Sequence, residues 1–230
     1  MSIVAMIPAR SGSKRVLNKN IIDFCGKPLL YWTAVAAMKS KYIDHVIVST
    51  DSKEIQSIAN AIGVETPFLR PKEISTSSAG MIEVMQHSLK WFESCHDSVE
   101  AFILLQPTSP LRTFSHIDEA IELFRSSKES SLVSVTEVPH IYHPDIVHDM
   151  DDNNLLSPYC SDKLKNQQEP SDNVVYARNG PAILINKPDV IRKGKKFEDP
   201  LIAYVMENKN SIDIDEYEDL CVAEFIMKSS

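Results

Sequence analysis

Short apolar runs alternate with amphipathic stretches through the first two-thirds of the chain. Continuous apolar runs, as in residues 3–7 and 101–105, are typical of strands covered on both faces. Further strands are expected at 45–49, 132–135 and 182–185, and helices at 27–40, 51–63, 79–93, 116–127 and after residue 215. Repeated strand–helix–strand units of this length predict an α/β fold with a doubly wound, mostly parallel sheet.

Local capping signals define where several of these helices begin. Asp51 is followed three residues later by Glu54, which predicts an N-cap for a helix that stops at Gly63. Ser115 with Asp118 is expected to cap the helix that follows them, and Pro28 suits the first turn of the earliest helix.

The alternation breaks after Val138. Residues 139–172 are rich in His, Asp, Asn, Ser and Pro, with little apolar periodicity. A segment of this length is too long for an ordinary connection, so it predicts a functional lid or a projecting arm. The chain has no internal repeat, low-complexity tract or linker, and residues 1–230 are predicted to form a single domain.

Composition narrows the class of protein. The formal net charge is -8, with 43% apolar and 24% charged residues, which argues against nucleic acid as a bulk partner. An acidic protein can still bind an anion where its basic residues converge. No apolar run approaches the length of a membrane span, so no membrane partner is expected. Four scattered cysteines without a CxxC pair favour reduced thiols in the cytoplasm.

A basic stretch follows the first predicted strand; together with the end of that strand it reads "IPARSGSKRVLNKN". Gly12 and the small serines let the backbone approach a ligand, and successive N–H groups can form an anion nest. Its four cations are Arg10, Lys14, Arg15 and Lys19. The second glycine and the Lys-Ser/Thr ending of a P-loop are missing. The position after a buried strand favours phosphate binding over a solvated basic loop.

Two acids near the far end of the chain, Asp213 and Asp215, are two residues apart. On an extended segment both carboxylates point to the same side, where they repel unless a cation lies between them. Mg²⁺ takes one or two carboxylates together with phosphate oxygens, and it is the expected cofactor. The alternative is a pair of surface acids in front of a helix.

The motif "QPTSPLR" follows the most apolar strand. Its two prolines fix the backbone and leave side-chain donors at the carboxyl end of that strand, where α/β sheets bind ligands. Those donors are Gln106, Thr108, Ser109 and Arg112. They suit a polyhydroxylated ligand, although a rigid turn with a capping serine remains the alternative.

Taken in order, several motifs resemble those of the CMP-sialic acid synthetase family. They are "IPARSGSKRVLNKNI", "FCGKPLL", "VIVSTDSKEI", "FLRP", "LLQPTSPLR", "YARNG" and "DIDEYEDLCVAE". The resemblance extends from Ile3 to about Phe225 and implies a Rossmann-like domain with a dimerisation arm, here residues 139–172, in a homodimer. It also implies CTP and a nonulosonic acid as substrates, for surface-glycan biosynthesis.

The resemblance also implies roles for individual residues. Those expected along the CTP triphosphate are Arg10, Ser13 and Lys14. Lys19 and Asn20 are expected at the α-phosphate and cytidine, and Arg70 at the cytosine. The residues expected near the sugar acid are Gln106, Gln167, Tyr176 and Asn179. Asp213 and Asp215 match the family's metal-binding acids, and with Lys19 they form the expected catalytic set.

The implied reaction transfers CMP from CTP to the anomeric hydroxyl of the acid and releases pyrophosphate. Residues near the expected sugar site depart from the family pattern, as in "NGPAILI" and Lys165–Asn166–Gln167. The sequence leaves open N-acetylneuraminic, legionaminic and pseudaminic acid as the acceptor. Two alternatives are an enzyme that activates the eight-carbon acid KDO and a non-catalytic nucleotide-binding protein of the same fold.

Overall fold

A computed structural model describes residues 1–13, 15–96, 98–159 and 174–229. Its strands are β1 Ser2–Pro8, β2 Asp23–Phe24, β3 Lys27–Pro28, β4 His45–Ser49, β5 Val99–Leu104, β6 Ser131–Glu137, β7 His148–Met150, β8 Leu156–Pro158, β9 Tyr176–Arg178, β10 Leu184–Asn186 and β11 Ile202–Val205. Its α-helices are α1 Leu29–Lys39, α2 Lys53–Ile62, α3 Met81–Cys95, α4 Phe114–Ser126, α5 Pro188–Arg192 and α6 Tyr217–Ser229.

The central sheet of the described residues has seven strands. Six follow the order β11-β6-β10-β5-β1-β4, and β9 pairs with β6. Strand β1 runs parallel to both β4 and β5, and β11 runs parallel to β6. Strand β10 is antiparallel to both of its neighbours, β5 and β6. Strand β9 is also antiparallel to β6, so the sheet is mostly parallel with two reversed strands, of which β10 lies in its interior.

Helices cover both faces of this sheet. One apolar cluster joins alternate strand residues to α1, α2 and α4 through side chains such as Leu30, Ile55 and Ile121. A second cluster joins the opposite strand faces to α3 and α5. This two-sided cover explains the continuous apolar runs in the strands, and it confirms the predicted doubly wound α/β fold. Among the described helices, none is long and apolar enough to cross a membrane.

Two predicted N-caps are wrong. The cap of α2 is Ser52, whose hydroxyl accepts from the Ile55 N–H, whereas the Asp51 carboxylate accepts from Ser11. The cap of α4 is Thr113 rather than Ser115, and it accepts from the His116 N–H. In both cases a neighbouring hydroxyl takes the cap. Pro28 is likewise the cap residue of α1 rather than part of its first turn.

A third apolar cluster joins the two ends of the chain. Phe24 and Leu29 pack with Ile214 and with residues of α6. Ile214 is fully buried, and its N–H donates to the Thr108 carbonyl at 2.8 Å. The segment around Ile214 belongs to none of the described strands. Burial of this one side chain nevertheless fixes the acids on either side of it.

The described part of the predicted arm forms a separate hairpin. Strands β7 and β8 pair with each other and do not join the central sheet. Many apolar side chains around the hairpin are exposed by more than half, including Ile141, Tyr142, Met150, Leu155, Leu156 and Tyr159. Residues 160–172 of the predicted arm lie outside the described residues, and so does Gln167.

Candidate active site

A cleft of about 180 Å³ opens where β1, β4 and β5 reach their carboxyl ends. It is lined by Pro8, Arg10, Ser13, Lys19, Asn20, Arg70, Met81, Gln106, Pro107, Thr108, Asp213 and Asp215. Residues from the beginning, middle and end of the chain therefore meet at the edge of the sheet where ligands bind in α/β folds. We refer to this space as the main cleft.

The basic loop after β1 is fixed by side chains around it. The backbone N–H and hydroxyl of Ser11 each donate to the Asp51 carboxylate at 2.9 Å. The Asn20 side-chain amide donates to the Arg10 carbonyl at 2.9 Å. Asp51 thus anchors the loop, a role for which no local sequence signal exists. A loop held at both ends keeps its donors in place before a ligand arrives.

Lys19 is a pre-positioned cation in the main cleft. Its ammonium donates to the Ile214 carbonyl at 2.6 Å and to Asp215 Oδ1 at 3.0 Å. Arg15 donates to the other oxygen of the same carboxylate at 3.2 Å. Hydrogen bonding to Lys19, together with the charge of Arg15, lowers the pKa of Asp215. Asp215 therefore holds the lysine in place and stays ionised.

Asp213 has the opposite environment. Its Oδ1 atom is buried and has no hydrogen-bond partner among the described residues. Burial raises the pKa of Asp213, and the nearby Asp215 charge adds to this effect, while the neighbouring Thr108 hydroxyl and the Lys19 charge offset it in part. A buried carboxylate oxygen without a partner is costly, so it is the part of the main cleft most in need of a cation.

The two acids fit a shared Mg²⁺ site only if a ligand completes it. Among the described residues, no group of three or more His, Cys, Asp or Glu side chains could hold a metal ion. Mg²⁺ in nucleotide-binding sites characteristically takes one or two carboxylates and completes its shell with phosphate oxygens and water. The unpartnered Oδ1 of Asp213 and the cleft-facing Asp215 match that requirement.

Arg70 is a buried cation that lines the main cleft. Its backbone N–H donates to the Thr50 carbonyl at 2.7 Å, and its guanidinium donates to the Ser49 carbonyl at 3.2 Å. Burial and the nearby Arg10 charge lower the pKa of Arg70. The position suits an anionic or carbonyl-bearing ligand that would restore the lost solvation.

Arg112 lies beneath the main cleft and does not line it, contrary to its expected place among the ligand donors. The guanidinium donates to the carbonyls of Gln106 and Ala182 at 3.2 and 2.8 Å, and to the Thr33 hydroxyl at 2.7 Å. Complete burial lowers the pKa of Arg112 to about 9. It therefore supports the backbone of the "QPTSPLR" loop.

Gly180 brings the "YARNG" segment against the acids. Its carbonyl accepts from the Gln106 amide at 3.3 Å, and its φ is +112°. A Cβ atom at this position would lie 3.3 Å from the Asp213 carboxylate. Glycine is therefore required here both for its backbone conformation and for the close approach.

The remaining predicted site residues lie elsewhere. Tyr176 is about half exposed (49%) on β9, and Asn179 is buried. The Asn179 side chain accepts from Ser134 at 2.6 Å and donates to Ser211 at 2.9 Å, which fixes the turn before Gly180. Neither residue lines the main cleft. Lys14 and Gln167 lie outside the described residues.

Comparison with known proteins connects this geometry to a family. A family model described as Cytidylyltransferase matches residues 4–228. The chain belongs to the cytidylyltransferase family. A protein from Escherichia coli O18:K1:H7 named N-acylneuraminate cytidylyltransferase is 37% identical over 96% of the chain, which spans about half (51%) of that relative's length. This confirms the resemblance inferred from the ordered motifs.

A second relative and a solved structure are also similar to the chain. A Legionella pneumophila protein named CMP-N,N'-diacetyllegionaminic acid synthase is 32% identical, with 99% of the chain matching 97% of the relative. The solved structure of CMP:2-keto-3-deoxy-manno-octonic acid synthetase complexed with CTP superposes on the chain with a TM-score of 0.71 and 17% sequence identity. The match covers 100% of this chain and 99% of the chain in that structure. At that identity the likeness shows the cytidylyltransferase fold alone.

Replacing Arg112 with methionine is expected to lower the free energy of unfolding by about 2–4 kcal/mol, because three buried acceptors would lose their donor. Arg125→Met is the matched control, since Arg125 pairs with Glu100 at the surface and should contribute less than about 1 kcal/mol. Urea denaturation of both variants measures the difference. Equal losses would contradict the supporting role of Arg112 in this cytidylyltransferase fold.

Gly180→Ala is expected to lower catalytic turnover by at least about 10-fold, because the added methyl group would displace the Asp213 carboxylate. Gly194→Ala is the control: Gly194 also has a positive φ, +75°, but its Cβ would meet only the Gln86 side chain, at 3.7 Å. Both variants should lose about 1 kcal/mol of stability from backbone strain. Steady-state kinetics should separate them, and similar turnover in both would contradict the Asp213 contact.

Proposed function

We propose that this chain transfers CMP from CTP to the anomeric hydroxyl of a nonulosonic acid and releases pyrophosphate. The observation that carries the proposal is the meeting of Arg10, Lys19 and Arg70 with two carboxylates in one cleft of a net acidic chain. Such an arrangement suits a polyphosphate and its cation. The names of the relatives support CTP and a nonulosonic acid as the substrates.

In the proposed reaction, a bond forms between the anomeric oxygen and the α-phosphorus. The bond from the α-phosphorus to the oxygen that bridges to the β-phosphate breaks and pyrophosphate leaves with that oxygen, while the anomeric hydroxyl gives up its proton to solvent. Arg10 and Lys14 would neutralise the departing pyrophosphate, and Ser13 would donate a hydrogen bond to the phosphates. Arg70 would contact the cytosine, and Asn20 would hold the loop beside the cytidine. Positioning and charge stabilisation account for most of the catalysis in such a transfer.

Lys19 would stabilise the charge that develops on the α-phosphoryl oxygens. Its ammonium is already held by Ile214 and Asp215, so it needs little reorganisation when the substrates bind. Asp213 and Asp215 would hold Mg²⁺, which supplies charge withdrawal from the α-phosphate and lowers the pKa of the attacking hydroxyl. Gln106 would face the acid, with Gln167, Tyr176 and Asn179 as further candidates on that side.

A pyrophosphate-release assay with CTP and Mg²⁺ tests the proposal. The acceptors are N-acetylneuraminic, legionaminic and pseudaminic acid, with KDO as the eight-carbon comparison. We expect release with at least one nine-carbon acid and formation of its CMP derivative, identified by mass spectrometry. Pyrophosphate release with KDO alone would show that the acceptor is an eight-carbon acid rather than a nonulosonic acid. No release with any acid would favour a non-catalytic nucleotide-binding protein.

We further propose a cytoplasmic homodimer in which the hairpin of residues 139–159 contacts a second copy. The exposed apolar side chains on and beside this hairpin would be covered in such an assembly. One chain has a mass of 25.9 kDa. Light scattering of the purified protein should give twice that mass. A monomer at micromolar concentration would overturn the arm's proposed role.

A further inference from the structure

A second pocket, of about 190 Å³, adjoins the main cleft across Gly180. We refer to it as the side pocket. Its apolar walls include Val133, Leu184 and Phe197, and its charged groups are Arg178 and Lys196. Gly180 lines the side pocket on one side. On the other side, a Cβ atom built on Gly180 would point towards Asp213 in the main cleft. One glycine therefore separates the two spaces, and a single small ligand could reach from one into the other.

The side pocket has two cations and no counterion among the described residues. The Arg178 guanidinium lies over the Phe197 ring, 5.1 Å from its centre. Neither Arg178 nor Lys196 forms an ion pair with a described carboxylate, and the adjacent Glu198 is taken by Lys195 at 2.7 Å and Lys193 at 3.8 Å. Two like charges against apolar walls repel, and an anion placed between them would relieve that cost.

The protonation of Lys196 responds to this environment. Burial, followed by the charge of Arg178, lowers the pKa of Lys196. A bound anion would reverse both effects, because it would replace the lost solvation and offset the charge of Arg178. The side pocket is thus electrostatically unsatisfied without a ligand, in the same sense as the Asp213 oxygen in the main cleft.

The sheet holds both cations in place. Arg178 is the last residue of β9, opposite Val135 of β6. The Asn186 amide, at the end of β10, donates to the Lys196 carbonyl at 3.0 Å. Next to it, the Glu198 N–H donates to the Ser131 hydroxyl at 2.9 Å. The backbone positions of both cations at the mouth of the side pocket are therefore fixed by the sheet, with Lys196 partly buried and Arg178 exposed.

We propose that Arg178 and Lys196 bind the carboxylate of the acceptor acid. This inference rests on the proposed function, since a nonulosonic acid carries its carboxylate on the carbon that bears the reacting hydroxyl. With the hydroxyl directed at the α-phosphorus in the main cleft, the carboxylate is directed past Gly180 into the side pocket. The CTP phosphates have their own cations in Arg10 and Lys19. The pair Arg178 and Lys196 therefore selects acids over neutral sugars.

Steady-state kinetics of Arg178→Met and Lys196→Met test this assignment. Each variant should raise the KM for the acid by about 10-fold, because it removes one charge-assisted contact. The KM for CTP should stay within about 2-fold of wild type. Lys195→Met removes the same charge from the adjacent surface position and should change neither KM. Lys196→Arg, which keeps the charge, should restore most of the acid affinity.

A substrate change gives an independent test that does not depend on variant folding. Wild type should use the methyl ester of the acid at least about 10-fold less well than the free acid. In Arg178→Met the preference for the free acid over the ester should shrink, because only the Lys196 contact remains, and in the double variant Arg178→Met/Lys196→Met it should disappear. Thermal melts show which variants are folded.

The outcomes separate this inference from the proposed function. If wild type releases no pyrophosphate with any acid, the proposed function fails and this inference fails with it. If wild type is active but uses ester and free acid equally, the carboxylate contact is wrong while the function stands. A raised KM for CTP in the side-pocket variants, with the KM for the acid unchanged, would assign the side pocket to the nucleotide and overturn the inference.

Discussion

Lys19→Met is expected to lower kcat by about 10²–10³-fold and to change the KM for CTP only by a few-fold. The ammonium contacts the Ile214 carbonyl and Asp215, and its side chain is only 12% exposed, so it is desolvated and already aimed into the main cleft. Such a cation contributes most where charge develops during the transfer. Methionine keeps an unbranched side chain that is one atom shorter, and it removes the charge together with the two donated hydrogen bonds. Single-turnover and steady-state pyrophosphate release would measure the effect on chemistry and on binding separately.

Arg15→Met is the matched control for Lys19. Arg15 pairs with the same Asp215 carboxylate at 3.2 Å, but its side chain is 63% exposed. Its loss should change kcat by only a few-fold, because solvent screens an exposed charge. If both variants lost activity equally, the effect would come from Asp215 rather than from the lysine. A Lys19→Met enzyme with kcat within a few-fold of wild type would contradict the proposed role.

The buried parallel strands could be predicted from the sequence because they are covered on both faces. The runs at residues 3–7 and 101–105 lie within Ser2–Pro8 and, to one residue, Val99–Leu104. Periodicity carries no information on strand order, however. The antiparallel insertion of β10 between β5 and β6 depends on contacts between distant segments, and no local pattern predicts it.

Tertiary contacts also explain the wrong helix caps. Asp51 is the predicted cap of α2, and Asp118 is the predicted partner of the Ser115 cap of α4. In the fold Asp51 accepts from Ser11, and Asp118 accepts from Ser40 at 2.5 Å. Each partner comes from a different part of the chain, so a local signal could not identify it. The hydroxyl of the adjacent or nearby residue then caps the helix.

The main cleft could be assembled from the sequence only in part. The rule that ligands bind at strand ends identified the basic loop and "QPTSPLR", and the order of the family motifs connected them to Asp213 and Asp215. The contact between Lys19 and Asp215 joins residues 196 positions apart, which spacing cannot predict. The buried position of Arg112 was likewise hidden, because its residue type suggests a ligand donor rather than a support for backbone carbonyls.

Asp213→Asn should lower kcat by about 10²–10³-fold and raise the Mg²⁺ concentration needed for half-maximal rate. The same change should leave thermal stability equal to wild type or higher at pH 7. Burial raises the folded-state pKa of Asp213 above its unfolded value, so the ionised carboxylate opposes folding at neutral pH. That cost disappears as the pH falls through the raised pKa, and the neutral amide removes it at every pH.

Asp215→Asn provides the contrast that assigns the roles. Its pKa is lowered by Lys19 and Arg15, so its ionised form favours folding above the unfolded pKa, and the amide should reduce stability at pH 7. Activity should fall in both variants. The melting temperature should fall in Asp215→Asn, whereas in Asp213→Asn it should stay at the wild-type value or rise. A Mg²⁺ requirement for Asp213→Asn within a few-fold of wild type would remove Asp213 from the metal site. Destabilisation equal to that of Asp215→Asn would instead show that the Asp213 carboxylate is satisfied in the folded protein.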